Sequence, residues 1–241
     1  KNKLEQGLSR ILSEPQFSLA SGLIFGEKTA LPADFKNALN VVGLTHIVAL
    51  SGFNITIIAE TLRRFLNSLA ISRHYSFWLS TVFIVGFVLM TGAAPSLVRA
   101  AVMGILLLLA QKTGRLYQIR NALVFAGVLM LFANPKILRF DVGFQLSFLA
   151  TLGLIYISPL LEKYLNWLPK IFDLPGLAAA TLGAQLAVLP LILFNFGRLS
   201  LIAPLSNLLI LPIIPLTMVW SFFSSVLSVF WSGLAQPISW L

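Results

Sequence analysis

An arginine stands inside an apolar tract, where Gly92-Ala93-Ala94-Pro95-Ser96-Leu97-Val98-Arg99-Ala100-Ala101-Val102-Met103 runs directly into Gly104-Ile105-Leu106-Leu107-Leu108-Leu109-Ala110. A central Arg costs about +2.5 to +3.5 kcal/mol to insert into a bilayer, and the apolar residues beside it return only about −3 kcal/mol. A charge placed so marginally is a candidate functional group. Its chemistry would be that of a fixed cation, taking phosphate oxygens by bidentate hydrogen bonds. The competing reading is structural: Arg99 lies four residues after Pro95, a residue suited to a first helical position, so its guanidinium could snorkel to the headgroups.

Two further stretches carry polar groups in apolar surroundings. In Gly43-Leu44-Thr45-His46-Ile47-Val48-Ala49-Leu50-Ser51-Gly52-Phe53-Asn54, Ser51 and Asn54 are three apart and share a helix face, while His46 stands five before Ser51. These residues read either as a Ser/His nucleophile pair within the membrane or as polar groups joining helices by hydrogen bonds. A Gly-x-Ser-x-Gly elbow is not formed, because Ala49 and Phe53 occupy its outer positions. In Asp141-Val142-Gly143-Phe144-Gln145-Leu146-Ser147-Phe148-Leu149-Ala150-Thr151, Asp141 is placed to cap a helix. Gly143, Ser147 and Thr151 then form a small-residue stripe that admits a neighbouring helix. Gln145 lies off that stripe. With Gln185, Asn195 and Asn207, it either faces a polar conduit or bonds a neighbouring helix.

Metal and nucleotide chemistry find no pattern. The histidines are His46 and His74, there is no cysteine, and no His/Asp cluster has ligand spacing. A Gly-rich phosphate loop followed by Lys is also absent, so neither cofactor nor metal is expected, and transport through these residues needs an external drive.

Positioning such groups falls to elements suited to lipid. Hydrophobic residues make up 58% of the 241-residue chain and charged residues 10%, against about 25% charged in globular domains. A water-soluble surface could not be covered. The net charge of +9 fits either the Lys/Arg bias of cytoplasmic loops or a surface for a polyanion. Beginning on Lys1 and ending on Trp240-Leu241, the chain reads as a segment of a longer protein.

Residues 1–40 have ordinary polarity, and Leu4, Leu8, Ile11 and Leu12 predict an amphipathic interfacial helix before Pro15. Residues 41–241 are expected to form the transmembrane domain. Apolar blocks cover 41–62, 75–90, 95–111, 119–133, 142–161, 177–196, 199–216 and 217–234. Since a span needs about 20 residues, 119–133 is expected to be tilted, partial or re-entrant. The fold expected is an all-α polytopic bundle of about six to eight transmembrane or re-entrant helices. Pro190, Pro204, Pro212 and Pro215 predict broken helices in the last third.

The loops with Arg63, Arg64 and Arg73 and with Lys112, Arg115 and Arg120 are separated by two spans, and the positive-inside rule assigns both to the cytoplasm. Lys136 and Arg139 then fall outside, partly offset by Asp141. A half-inserted 119–133 segment would remove that conflict.

Four stretches, in this order and spacing, resemble the competence domain of the ComEC family over almost the whole chain from about residue 20. They are Gly43 to His46 through Ser51 to Asn54, Gly92 to Met103, Asp141 to Phe148, and Gln185-Leu186-Ala187-Val188-Leu189-Pro190 through Asn207. The resemblance implies a multi-pass channel in the bacterial cytoplasmic membrane that passes single-stranded DNA during natural transformation. It also implies an outside DNA receptor and a cytoplasmic helicase-like ATPase as partners. The motif residues carried over are His46, Ser51, Gly52, Asn54, Pro95, Ser96, Arg99, Asp141, Gly143, Gln145, Ser147, Gln185, Pro190 and Asn207. Among them Arg99, His46, Ser51, Asn54, Asp141, Gln145, Ser147, Gln185 and Asn207 are the candidates for contact with substrate or pore. Phe53, Phe144 and Phe148 are the aromatics expected nearest a conduit, with Gly183 and Ala184 giving room. Family members often carry an oligonucleotide-binding fold and a metallo-β-lactamase-like nuclease domain; two histidines cannot supply that nuclease's metal motif, so strand degradation is not expected here. The alternatives are a transporter or flippase for a smaller anion, or an intramembrane serine hydrolase using Ser51 and His46.

Overall fold

The computed structural model describes residues 9, 12–25, 31–44, 55, 61–62, 65–66, 68–69, 71–169, 173–197, 200 and 202–230. Among these the regular structure is helical, with no strand. The chain divides into two compact units, residues 1–51 with 200–241, and residues 52–199. The N-terminal segment thus groups with residues 200–241.

In the first unit, α1 (Gln16–Phe25) and α2 (Ala33–Val41) precede α10 (Ala203–Ile210) and α11 (Ile214–Phe230) in chain order. The amphipathic stretch at 4–12 lies almost wholly outside the described residues. The apolar helix after Pro15 packs on α11. Leu23 and Ile24 are buried, together with serines on both helices, Ser18 and Ser21 on α1 and Ser224 and Ser225 on α11. Such small polar residues let helix backbones approach where lipid removes the hydrophobic drive. Helices α10 and α11 meet at 52° across residues 211–213.

That break is the broken helix expected in the last third, and the prolines take different places around it. Pro212 lies in the bend, while Pro204 and Pro215 occupy first turns, where a missing N–H is harmless. Pro190 sits inside a continuous helix. It removes one hydrogen bond without ending the helix, as transmembrane helices tolerate.

The second unit contains α3 (Arg73–Met90), α4 (Pro95–Thr113), α5 (Ile119–Ala133), the turn α6 (Ile137–Phe140) and α7 (Val142–Leu152). Helix α7 continues through a π-helical turn, Gly153–Ile157, into α8 (Ser158–Leu165), and α9 (Leu174–Phe196) completes the unit. Local sequence sets several boundaries. Pro95 opens α4 and Gly114, at φ +68, closes it in the left-handed region that glycine adopts freely. Among the described residues three helices are long and apolar enough to cross a membrane, Pro95–Thr113, Val142–Leu165 and Leu174–Phe196, and the α10–α11 pair makes a fourth if its two helices form one bent span. His74–Met90 and Ile119–Ala133 are shorter apolar helices.

Helix α5 packs on α4 and touches the Val142–Leu165 span at two levels. At its start Arg120 lies 5.6 Å from the Tyr156 ring, and at its middle a Cβ on Gly127 would stand 3.1 Å from Phe148 Cε1. Because α5 is one continuous helix, the connections at 114–118 and 134–136 are at its opposite ends. On the other flank α9 packs against α7, the π turn and α8. There Gly153 and Gly183 bring two backbones together: a Cβ on Gly153 would strike the Gly183 carbonyl, and one on Gly183 would lie 2.8 Å from Ser158 N.

Candidate functional site: a guanidinium between helices

Helix α4 carries Arg99 one turn below Pro95, and packing of α4 on α7 turns its side chain across to that helix. The Nη1 donates to the Ser147 carbonyl at 2.6 Å, and the guanidinium carbon lies 6.0 Å from the Phe148 ring centroid. Ser147 is five residues beyond Val142, so this contact sits about 7.5 Å along the helix from its start, at 1.5 Å rise per residue. A backbone carbonyl and a ring face thus meet the cation, in place of a carboxylate.

The arrangement is incompletely satisfied. Arg99 Nε and Ser147 Oγ are both buried without a hydrogen-bond partner. Guanidinium has five N–H donors, and a buried unpaired polar group costs about 1–3 kcal/mol. The neighbouring groups are firmly held: Thr151 Oγ1 also donates to the Ser147 carbonyl, at 3.0 Å, and Phe148 stacks on buried Phe144 with centroids 4.3 Å apart. The Nε–H and the serine hydroxyl are thus two groups still able to take a further hydrogen bond.

Asp141 performs the capping role read from sequence, its Oδ1 accepting the Phe144 amide at 2.8 Å. Replacing it with Ala is expected to destabilise the protein by about 1 kcal/mol, and Asp141→Asn by much less, because the amide oxygen still caps; thermal melting of the purified protein checks this. Gln145 holds the turn before α7, its Nε2 donating to the carbonyls of Leu138 at 2.8 Å and Arg139 at 3.2 Å. Gly143 is exposed and makes no close helix contact. The close approach expected of the Gly143, Ser147 and Thr151 stripe occurs instead at Gly153 and Gly183. Gln185 Oε1 and Thr181 Oγ1 on α9 are buried without partners, as is Asn207 Oδ1 on α10. Asn195 bonds the Leu191 carbonyl of its own helix. His46, Ser51, Asn54 and Phe53 lie outside the described residues.

The motif stretches meet in pairs. Gly92–Met103 meets Asp141–Phe148 through Arg99 and Ser147. In the first unit, Ser200 Oγ donates to the Val41 carbonyl at 2.7 Å, and Gly43, at φ +73, has no room for a side chain because a Cβ would strike that of Ala203. Here the start of the first stretch lies against the helix bearing Asn207.

Residues 23–241 match the model of a family described as competence protein. The chain belongs to the competence protein family. It is also 29% identical over 202 residues to ComE operon protein 3 of Bacillus subtilis (strain 168), an alignment covering 84% of this chain and 25% of that relative. The chain therefore spans about a quarter of that protein's length. No solved structure matches it.

Sequence reasoning overlooked Gly153 and the backing of Phe148 by Gly127. The available signal was a glycine in mid-span, where glycine marks close backbone approach.

Proposed function

We propose that this chain forms a conduit that passes single-stranded DNA across the bacterial cytoplasmic membrane during natural transformation. The observation that carries the reading is Arg99, turned between helices and left with a buried, unpartnered Nε–H beside the unpartnered Ser147 hydroxyl. A phosphodiester is a partner for such donors without regard to base sequence, which suits a path that must pass any strand. Membership of the competence family supports the same substrate. The strand is delivered by a receptor outside and drawn by a cytoplasmic helicase-like ATPase, since no phosphate-loop motif lies in these residues.

Charge and aromatic placement support an orientation. Lys112, Arg115, Arg120 and Lys163 lie toward one end of the second unit, with Lys112 Nζ 4.6 Å from the Phe77 ring and 5.3 Å from Trp78. Exposed Tyr75 and Trp78 mark the interface there. The positive-inside rule makes this end cytoplasmic. Lys136 and Arg139 are then external.

A smaller anion would use the same cation, so the test is strand length. In cells lacking their own channel and carrying the complete gene product that contains this chain, internalised label should grow with strand length, and excess pyrophosphate should not compete. Saturable pyrophosphate accumulation with strands excluded would overturn the reading.

A further inference from the structure

The connection between α5 and α7 is unusual for the outer side of a membrane protein. Lys136 and Arg139 are both exposed there, and they stand beside Phe132 at 92% exposure, Leu138 at 57% and Phe140 at 74%. Because α5 is continuous from Ile119 to Ala133, these cations are at the end opposite Lys112 and Arg115, where the positive-inside bias gives them no role.

The connection is also fixed in shape. Gln145 Nε2 grips the carbonyls of Leu138 and Arg139, and Asn134 Oδ1 accepts the Lys136 amide at 3.2 Å. The Asp141 carboxylate engages the first turn of α7, and the Arg139 guanidinium lies 5.6 Å from the Phe140 ring. Two cations and a ring face are thus held on a clamped backbone, which lowers the ordering cost of binding. Single strands are bound by this pairing of basic groups, which take phosphates, with exposed aromatic faces, which take bases.

We infer that residues 132–140 form an external landing surface for the incoming single strand, with Lys136 and Arg139 contacting backbone phosphates and Phe140 stacking on a base. The inference rests on the transport reading above and adds to it a docking step ahead of Arg99. Charge complementarity on the side from which the strand arrives favours DNA as the occupant, and an anionic lipid headgroup is the rival that the experiment must separate.

The complete gene product, in discs of zwitterionic lipid, is titrated with a labelled oligothymidine of about 20 nucleotides across a salt series, as wild type, as Lys136→Gln/Arg139→Gln and as Phe140→Ala. Loss of two phosphate contacts should flatten the slope of log affinity against log salt by about 1.4 and weaken binding about tenfold at low salt. Phe140→Ala should weaken binding about fivefold or more with the slope unchanged. In cells, the double variant should raise the strand concentration giving half-maximal uptake while maximal uptake is kept. Strand binding by the wild type with an unchanged slope and affinity in the double variant would overturn the landing surface and leave the transport reading standing. An unchanged strand affinity joined to loss of retained anionic lipid in the double variant would assign the surface to headgroups. Failure of the wild type to bind any strand would overturn both.

Discussion

On the proposed function, Arg99→Ala is expected to lower uptake of single-stranded DNA by about tenfold to a hundredfold, the equivalent of one hydrogen bond to a charged group, about 1.5–3 kcal/mol. A failure of membrane insertion is not the expected cause. Arginine is itself unfavourable in a span by about 2.5–3.5 kcal/mol, and here it makes one hydrogen bond while its Nε stays unpaired. Alanine should therefore insert at least as well. Arg99→Lys keeps a cation but loses the planar fork, so uptake should fall between wild type and Arg99→Ala. Uptake normalised to membrane-inserted protein reads both variants. Unchanged uptake in Arg99→Ala would remove this residue from the mechanism.

The largest expected effect on stability lies on the other flank of α7. In Gly183→Ala the new Cβ would stand 2.8 Å from Ser158 N, 3.0 Å from Ser158 Cα and 3.1 Å from the Gly153 carbonyl, all backbone atoms. Gly153→Ala meets the Gly183 carbonyl and Ala187 Cβ, the latter at 2.7 Å. No rotamer change relieves a backbone collision, so α9 must move away from the α7–α8 span. Overpacking costs about 1–3 kcal/mol where side chains can shift, and the upper end applies here. Each variant should lower the melting temperature by roughly 6–12 °C, at about 2–4 °C per kcal/mol for a chain of this size. Gly86→Ala is the control: nothing lies within 4 Å of its Cβ position, and alanine gains about 0.5–1 kcal/mol of helix preference. Melting of Gly183→Ala indistinguishable from wild type would refute the close backbone contact.

Much of the second unit was legible in the sequence because membrane helices are bounded by simple signals. The apolar run 119–133, between polar Gln118 and Asn134, is helix α5. Pro95 and Gly114 bracket α4. Helix α9 begins three residues before the apolar block at Leu177, since Pro175 is acceptable in a first turn. Hidden from sequence was the π turn, which carries the helix from Val142 to Leu165 rather than stopping at 161. Hydrophobicity has no signal for one altered hydrogen-bond register.

The site was legible only in part, for a related reason. Arg99 announces itself as a charge among apolar residues, whereas its partner is a main-chain carbonyl, an atom that every residue possesses. Gln145 reads as a polar side chain in a span, and nothing local reveals that its amide reaches back seven residues to Leu138. The stripe through Thr151 marks the face toward α4 and Arg99, and not the closer contact with α9. At 100° per residue, Gly153 lies about 200° around the helix from Thr151, so the face toward Arg99 and the face toward α9 are different.

The most direct measurement is uptake of labelled single-stranded DNA by cells lacking their own channel, complemented by the complete gene product with its receptor and ATPase supplied. Restored internalisation is the predicted result. A well-inserted protein that admits no strand, with all partners present, would contradict the claim that this chain is a DNA conduit.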